Sequence, residues 1–324
     1  MSLHRVIPQL RAFVRRRRTP LTVGGSLLTA AILVALLAGR RDEFSEALSS
    51  ASAWVLGVTA LLQIVALVSR SEAWHLTIEA AGGTVARRVL YRASSMQVLG
   101  SVINGHLGVA MRIAALRRSS PETCPQVPTL VAAEFPILAV EAMLAALASF
   151  TLVAPLGLPW WLPIVGFAVV GLASAALRRL ALKEGRKLWR GLAVLRSLSG
   201  GSRVVGFVLI AVFAQIVRNW MLLHAVGVDA SFFDAIAVLI AVVTLSQLPV
   251  GPSVGAAAAV LILGSDGVAA AAAAGLLMTV TGTLGGLCFA AWAGADRLWF
   301  IARRRATAND RSPNFGLDRA VSGD

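Results

Sequence analysis

Four runs of this sequence, residues 20–39, 50–69, 160–177 and 268–295, contain no Asp, Glu, Lys or Arg. Each is close to the roughly 20 residues that a helix rising 1.5 Å per residue needs to cross a hydrocarbon core. The chain is 57% hydrophobic and 14% charged, which would leave a water-soluble domain with far more apolar surface than it could hide. In lipid only helices and closed barrels satisfy their backbone polar groups. The apolar–polar alternation of a barrel strand is absent. The sequence therefore predicts an all-α integral membrane protein, a polytopic helical bundle of about eight spans with one or two re-entrant or broken helices, compatible with an inverted repeat.

The spans are read at 20–39, 50–69, 127–153, 160–177, 204–226, 232–249 and 268–301, the last as one tilted helix or as two short ones meeting near Gly285 and Gly286. Residues 1–18 form a basic cytoplasmic arm, 19–302 the transmembrane domain, and 303–324 a polar cytoplasmic tail expected to be disordered. Segment 70–93 mixes Trp74, Leu76 and Val85 with Arg70, Glu72, Glu79, Arg87 and Arg88, and reads as an amphipathic surface elbow. Two broken elements stand out. One is 94–116, interrupted by Gly100, Asn104, Gly105 and Gly108; the other is Gly251–Gly264.

Basic residues set the orientation. The N-terminal arm, 70–92, 112–118, 178–203 and the stretch after 296 hold 27 of the 30 Lys and Arg. All five lie on the cytoplasmic side only if 94–116 enters the membrane and returns, so this segment is read as re-entrant and 178–203 as a basic cytoplasmic loop. Both termini then face the cytoplasm of a plasma or inner membrane. An even number of crossings leaves two choices for Gly251–Gly264: it crosses before one long helix, or re-enters before two short ones.

The net charge of +14 is explained by topology and lipid headgroups, because no zinc spacing or aromatic–basic alternation points to nucleic acid. Cys124 and Cys288 fall in unlike environments and are not expected to pair, and His4, His75, His106 and His224 lack partners at metal-ligand spacing. No nucleophile with its base and no phosphate-cradling glycine loop appears. The expectation is a protein that is not an enzyme and has no cofactor.

Charges inside spans need a reason. Glu134 and Glu141, seven residues apart, share a helix face, and Arg218 with Asn219 lies within the 204–226 span. These groups read as a polar path, with Glu134 and Arg218 as a candidate pair, or as a structural ion pair and snorkelling side chains. Asn104, Gly105, His106 and Gly108 in the first broken element, and Pro249, Gly251 and Gly255 in the second, read as a midplane substrate site between two halves or as close helix packing. Arg112, with Arg117 and Arg118, stands at the mouth of the first element and could hold a lipid phosphate or anchor topology.

The stretch GSVINGHLGVAMRIAALRR (100–118), Glu134 near the start of the next span, and SQLPVGPSVGAAAAVLIL (246–263) together resemble the lysylphosphatidylglycerol synthase transmembrane-region family of flippase-like proteins. Gly105, Gly108, Arg112, Glu134, Pro249 and Gly255 carry the likeness. Asn104 stands where the family has proline, Val109 and Ala258 where it has acids, and Thr279 about where it has an arginine. The soluble aminoacyltransferase domain of the lipid-modifying members has no counterpart here. The resemblance implies translocation of lipids or lipid-linked headgroups, anionic ones foremost, with membrane lipids as partners. The alternative is a noncatalytic membrane subunit or scaffold for an envelope glycosyltransferase or lipid-modifying enzyme.

Overall fold

The computed structural model describes residues 39–101, 105–182, 187–246, 253–264 and 267–310, with a few positions between 31 and 37; from 296 onward, and at 105–106 and 187–188, only the backbone is described. Every regular element among the described residues is helical. The helices are α1 (Arg41–Ser50), α2 (Ala53–Ala80), α3 (Arg87–Ser101), α4 (Gly105–Ser119), α5 (Val127–Ala132), α6 (Phe135–Ala148), α7 (Val153–Leu156), α8 (Leu162–Leu182), α9 (Leu198–Ala225), α10 (Phe232–Leu245), α11 (Val254–Leu263) and α12 (Val268–Asp310). A 3-10 turn at Ser149–Leu152 and a 3-10 segment at Lys187–Arg196 complete them.

Five stretches are long and apolar enough to cross a membrane: Ala53–Ala80, Val127–Leu156, Leu162–Leu182, Leu198–Ala225 and Val268–Ala295. Their outward faces carry large apolar side chains such as Leu61, Leu147, Val169, Leu172, Phe213 and Trp292, all more than half or nearly half exposed. Such a surface is stable against lipid and not against water. Trp160 and Trp161, exposed beside α8, sit where an aromatic belt would place them. The 20–39 span lies largely outside the described residues.

Local chemistry sets several boundaries. Ser231 and Asp234 form a reciprocal capping box at the start of α10, with the Ser231 amide donating to Asp234 Oδ2 at 2.8 Å and the Asp234 amide to Ser231 Oγ at 3.2 Å. Pro136 has no amide hydrogen to give to the preceding turn, so the 127–156 span breaks between α5 and α6, and Glu134 falls in the break. Gly157, at φ +59°, ends α7 in the left-handed conformation that glycine takes at least cost.

Two expectations about the early helices change. The helix predicted to stop at Ser69 continues to Ala80, a length of about 42 Å. Segment 70–80 is therefore no surface elbow: Ser71, Glu72, Ala73, Trp74, His75, Thr77 and Ile78 are buried. Its charges can enter the protein because they find partners there, as described below. The second half of 70–93 begins α3. α3 and α4 then form a hairpin in which a methyl group at Gly100 would lie 2.8 Å from the Gly108 Cα, so the two backbones touch where glycine allows it. The hairpin's outer ends are tied together, the Thr84 amide donating to the Thr123 carbonyl at 3.2 Å.

The basic segment after α8 is also packed rather than solvated. A methyl group at Gly191 would meet the Thr129 carbonyl and the Ala133 amide of α5, and Leu192 and Val194 are buried. Its arginines need only their head groups in water, so the backbone can lie against the bundle.

α12 is one continuous helix, which removes the alternative of two short helices meeting at Gly285 and Gly286. It extends to Asp310, into the tail expected to be disordered; Ala302, Arg303, Arg304, Arg305 and Ala306 all favour helix. Residues 311–324 lie outside the described set. Gly275, Gly282, Gly285 and Gly286 give α12 a face without side chains, against which α11, α9, α2 and α3 close in succession. The two large core clusters sit at opposite ends of α9: Val204 and Val208 pack with Trp74, Leu90, Leu116 and Leu130, whereas Leu222 and Leu223 pack with Val238, Ala258, Ile262 and Leu277. Between them Ala66, Ala211 and Ala214 form a narrow seam joining α2 to α9.

Candidate functional site

Among the described residues two arginines are buried, and they have opposite surroundings. Arg112, on the inner face of α4, is 1% exposed. Its guanidinium carbon lies 3.9 Å from the centre of the Trp74 ring, and its Nη2 donates to Glu134 Oε1. The extension of α2 supplies Trp74 and the break between α5 and α6 supplies Glu134. Farther out, Arg70 Nη2 donates to Glu141 Oε2 at 2.9 Å, one turn-pair along the face that Glu134 and Glu141 share. Two guanidinium groups thus face two carboxylates, and the cluster cancels its own charge. Beside it, Glu72 accepts from the Tyr91 hydroxyl and lies 3.5 Å from Arg87.

An ion pair closed on itself beneath an indole is a strut. It ties α2, α4 and the α5–α6 junction with strongly directional contacts. The Arg112 charge is matched by Glu134, and its Nε is buried without a partner among the described residues.

Arg218, on α9, is 6% exposed. Its Nη1 donates to Gln63 Oε1 at 3.0 Å and to Gln215 Oε1 at 2.8 Å; its Nη2 donates to the Met278 carbonyl and to Thr281 Oγ1 at 3.3 Å. Gln215 Nε2 in turn donates to Gln63 Oε1 at 2.7 Å. A methyl group at Gly282 would lie 3.0 Å from Nη2, so that glycine makes room for the guanidinium. Every one of these partners is neutral. The pairing of Arg218 with Glu134 expected from sequence does not form, since Glu134 is taken by Arg112 on another face of the bundle.

A charge at the centre of a span costs at least about 2.5–3.5 kcal/mol on insertion scales. Neutral acceptors satisfy the hydrogen bonds of Arg218 without removing its charge. Gln63 and Gln215 are only partly buried, so the polar tract reaches from Arg218 toward the surface of the bundle. What this arrangement can do chemically is hold an anion.

The remaining sequence candidates are dispersed. Gly108 packs against α3, where a methyl group would lie 2.7 Å from the Gln97 carbonyl, and Gly255 packs against Gly275 backbone to backbone. Gly105 and His106 begin α4 with their side chains undescribed, and Asn104, Pro249 and Gly251 lie outside the described residues. The structure joins Arg112 to Glu134 and leaves Arg218 and Gly255 elsewhere along α12. From Gly275 past Thr281 to Phe289, whose ring meets Tyr91 of α3, is 14 residues, about 21 Å. Sequence reading passed over Gln63, Gln215 and Thr281. The signal was present: two glutamines on neighbouring spans, in otherwise apolar helix, at the depth of an arginine. Among the described residues no group of His, Cys, Asp and Glu could hold a metal ion.

No protein-family model, curated protein or solved structure matches this chain.

Proposed function

We propose that this protein translocates lipids or lipid-linked headgroups across a cell membrane. The observation that carries the reading is Arg218, a cation held in the interior of an apolar bundle by neutral partners, with a polar tract leading from it to half-buried glutamines. A headgroup that crosses a bilayer must be met inside it by groups that replace water, and an unneutralised guanidinium does this for an anion. A re-entrant reading of the α3–α4 hairpin draws support from the backbone hydrogen bond between Thr84 and Thr123, which joins its two ends. With that hairpin re-entrant, the basic segments fall together on the cytoplasmic side with both termini.

The test is reconstitution of the purified chain with fluorescent anionic, aminoacylated or polyprenyl-linked lipids and measurement of their movement between leaflets. Wild type should move at least one class, and Arg218→Met should move it several-fold more slowly. No movement of any class would sink the proposal.

A second reading, a noncatalytic subunit that holds an envelope enzyme near its lipid substrate, draws on the closed Arg112–Glu134 pair, which braces the bundle and leaves little charge to bind a headgroup. It predicts a stoichiometric glycosyltransferase or lipid-modifying partner whose activity needs this chain and is indifferent to Arg218→Met.

A further inference from the structure

We infer that the counter-charge of Arg218 comes from outside the chain, as the phosphodiester of an anionic membrane lipid seated against Arg218, Gln63 and Gln215. The inference deepens the translocase reading and rests on it for the arrival of a headgroup at this depth.

The chain has 16 Asp and Glu residues. Only Glu134 and Glu141 fall deep in a long apolar helix, and they are taken by Arg112 and Arg70. Asp42, Glu43 and Glu46 belong to α1, Glu72 and Glu79 to the charged end of α2, and Glu122, Asp229 and Asp234 to connections and a helix start. Glu184, Asp266, Asp296, Asp310, Asp318 and Asp324 all lie at or beyond the ends of apolar runs. Asp266 and Asp296 are equally near Thr281 in sequence, 15 residues away, which for Asp296 is about 22 Å along α12. Among the described residues no carboxylate stands against Arg218.

The donors suit a phosphodiester. A guanidinium gives phosphate oxygens charge-assisted hydrogen bonds, and Arg218 Nε is buried with no partner among the described residues. Nη1 is shared between two glutamine oxygens on flexible, half-buried side chains, which can turn aside and present their amide N–H groups to the incoming anion. Nη2 stays fixed by the Met278 carbonyl and Thr281, so the guanidinium is oriented before the ligand arrives and Nη1 is the group that meets it. The site carries one positive charge, which matches one phosphodiester.

The test is native mass spectrometry of the full chain extracted from vesicles of phosphatidylcholine with either phosphatidylglycerol or phosphate-free diacylglycerol. Wild type should retain phosphatidylglycerol and not diacylglycerol. Arg218→Met should lose retention by about tenfold or more, a change of about 1.4 kcal/mol or more. Arg190→Gln, an exposed arginine of the 3-10 segment, should leave retention unchanged. Should Arg218→Met fail to fold, Arg218→Lys serves: it keeps the charge without the guanidinium, and retention should weaken without vanishing. Displacement of the lipid by millimolar inorganic phosphate would assign the site to free phosphate and overturn the lipid source. Equal retention by wild type and the Arg218 variants, or Arg218-dependent capture of a carboxylate-bearing membrane helix in place of lipid, would overturn the site itself. Binding without translocation would refute the proposed function and leave the site standing, whereas translocation with Arg218-independent binding would do the reverse.

Discussion

Replacing Glu134 by Gln keeps the shape of the side chain and removes the charge that faces Arg112. The Arg112 side chain is 2% exposed and that of Glu134 12%, so water can do little to compensate. Breaking a buried pair from one side costs about 3–5 kcal/mol, because the other charge remains buried and alone. Trp74 stays over the guanidinium and retains a cation–π contribution of about 1–2 kcal/mol, which argues for the lower end, about 3 kcal/mol. Arg112→Met should cost about 2–3 kcal/mol, leaving Glu134 unpaired at a helix break. The double variant Arg112→Met with Glu134→Gln removes both charges and lets a thioether pack on Trp74, so its cost should fall to about 1–2 kcal/mol. Those values imply a coupling of about 4 kcal/mol between the two sites. Unfolding of the purified protein by SDS in mixed micelles, followed by tryptophan fluorescence, gives the four stabilities of the cycle. Single effects that add to within about 0.5 kcal/mol would refute the reasoning, because independent sites behave that way.

The half-exposed Arg70–Glu141 pair makes the opposite case: Glu141→Gln should cost no more than about 1 kcal/mol in the same assay. Gly275→Ala puts a methyl group against the Gly255 carbonyl and Ala256 backbone, which cannot move aside, and should destabilise by about 1–3 kcal/mol. Gly166→Ala, where nothing lies within 4 Å of the new methyl, should change stability by no more than about 0.5 kcal/mol. Burial pushes the Cys124 thiol above its ordinary range, with Arg117 opposing. Its thiolate is therefore scarcer at neutral pH than that of a free cysteine, and alkylation by iodoacetamide should lag behind a free thiol and keep rising with pH after the free thiol has levelled off; a rate equal to that of free cysteine at pH 7 would contradict this.

What the sequence showed and what it hid divide along a physical line. Apolar length is a local property, so the long helices were legible from runs without charge, and glycine at 100 and 108 marked a close hairpin. Partnership is not local. Arg70 and Glu72 looked like the end of a span because an unpaired charge would end one, yet α2 continues since Glu141, Tyr91 and Arg87 meet those charges from other helices. The assignment of Glu134 failed for the same reason: its seven-residue spacing from Glu141 predicted the shared face, and nothing in the linear order said that Arg112 rather than Arg218 would stand opposite. Gln63 and Gln215 went unremarked because a lone amide in an apolar helix carries little weight until a third group meets it.

The contrast between the two arginines is what separates framework from site. Both are buried, and in both Nε is without a partner among the described residues. Arg112 meets a carboxylate and an aromatic face, so its charge is spent inside the fold and its removal should register as lost stability. Arg218 meets amides, a hydroxyl and a carbonyl, all of which relieve its hydrogen-bonding needs and none its charge. A bundle selected for stability alone gains by replacing such a group with an apolar one. Arg218→Met should therefore leave the fold as stable as wild type or make it more so while removing anion retention, and Arg112→Met should do neither. A destabilised Arg218→Met that still held lipid would mean that this arginine, too, belongs to the framework.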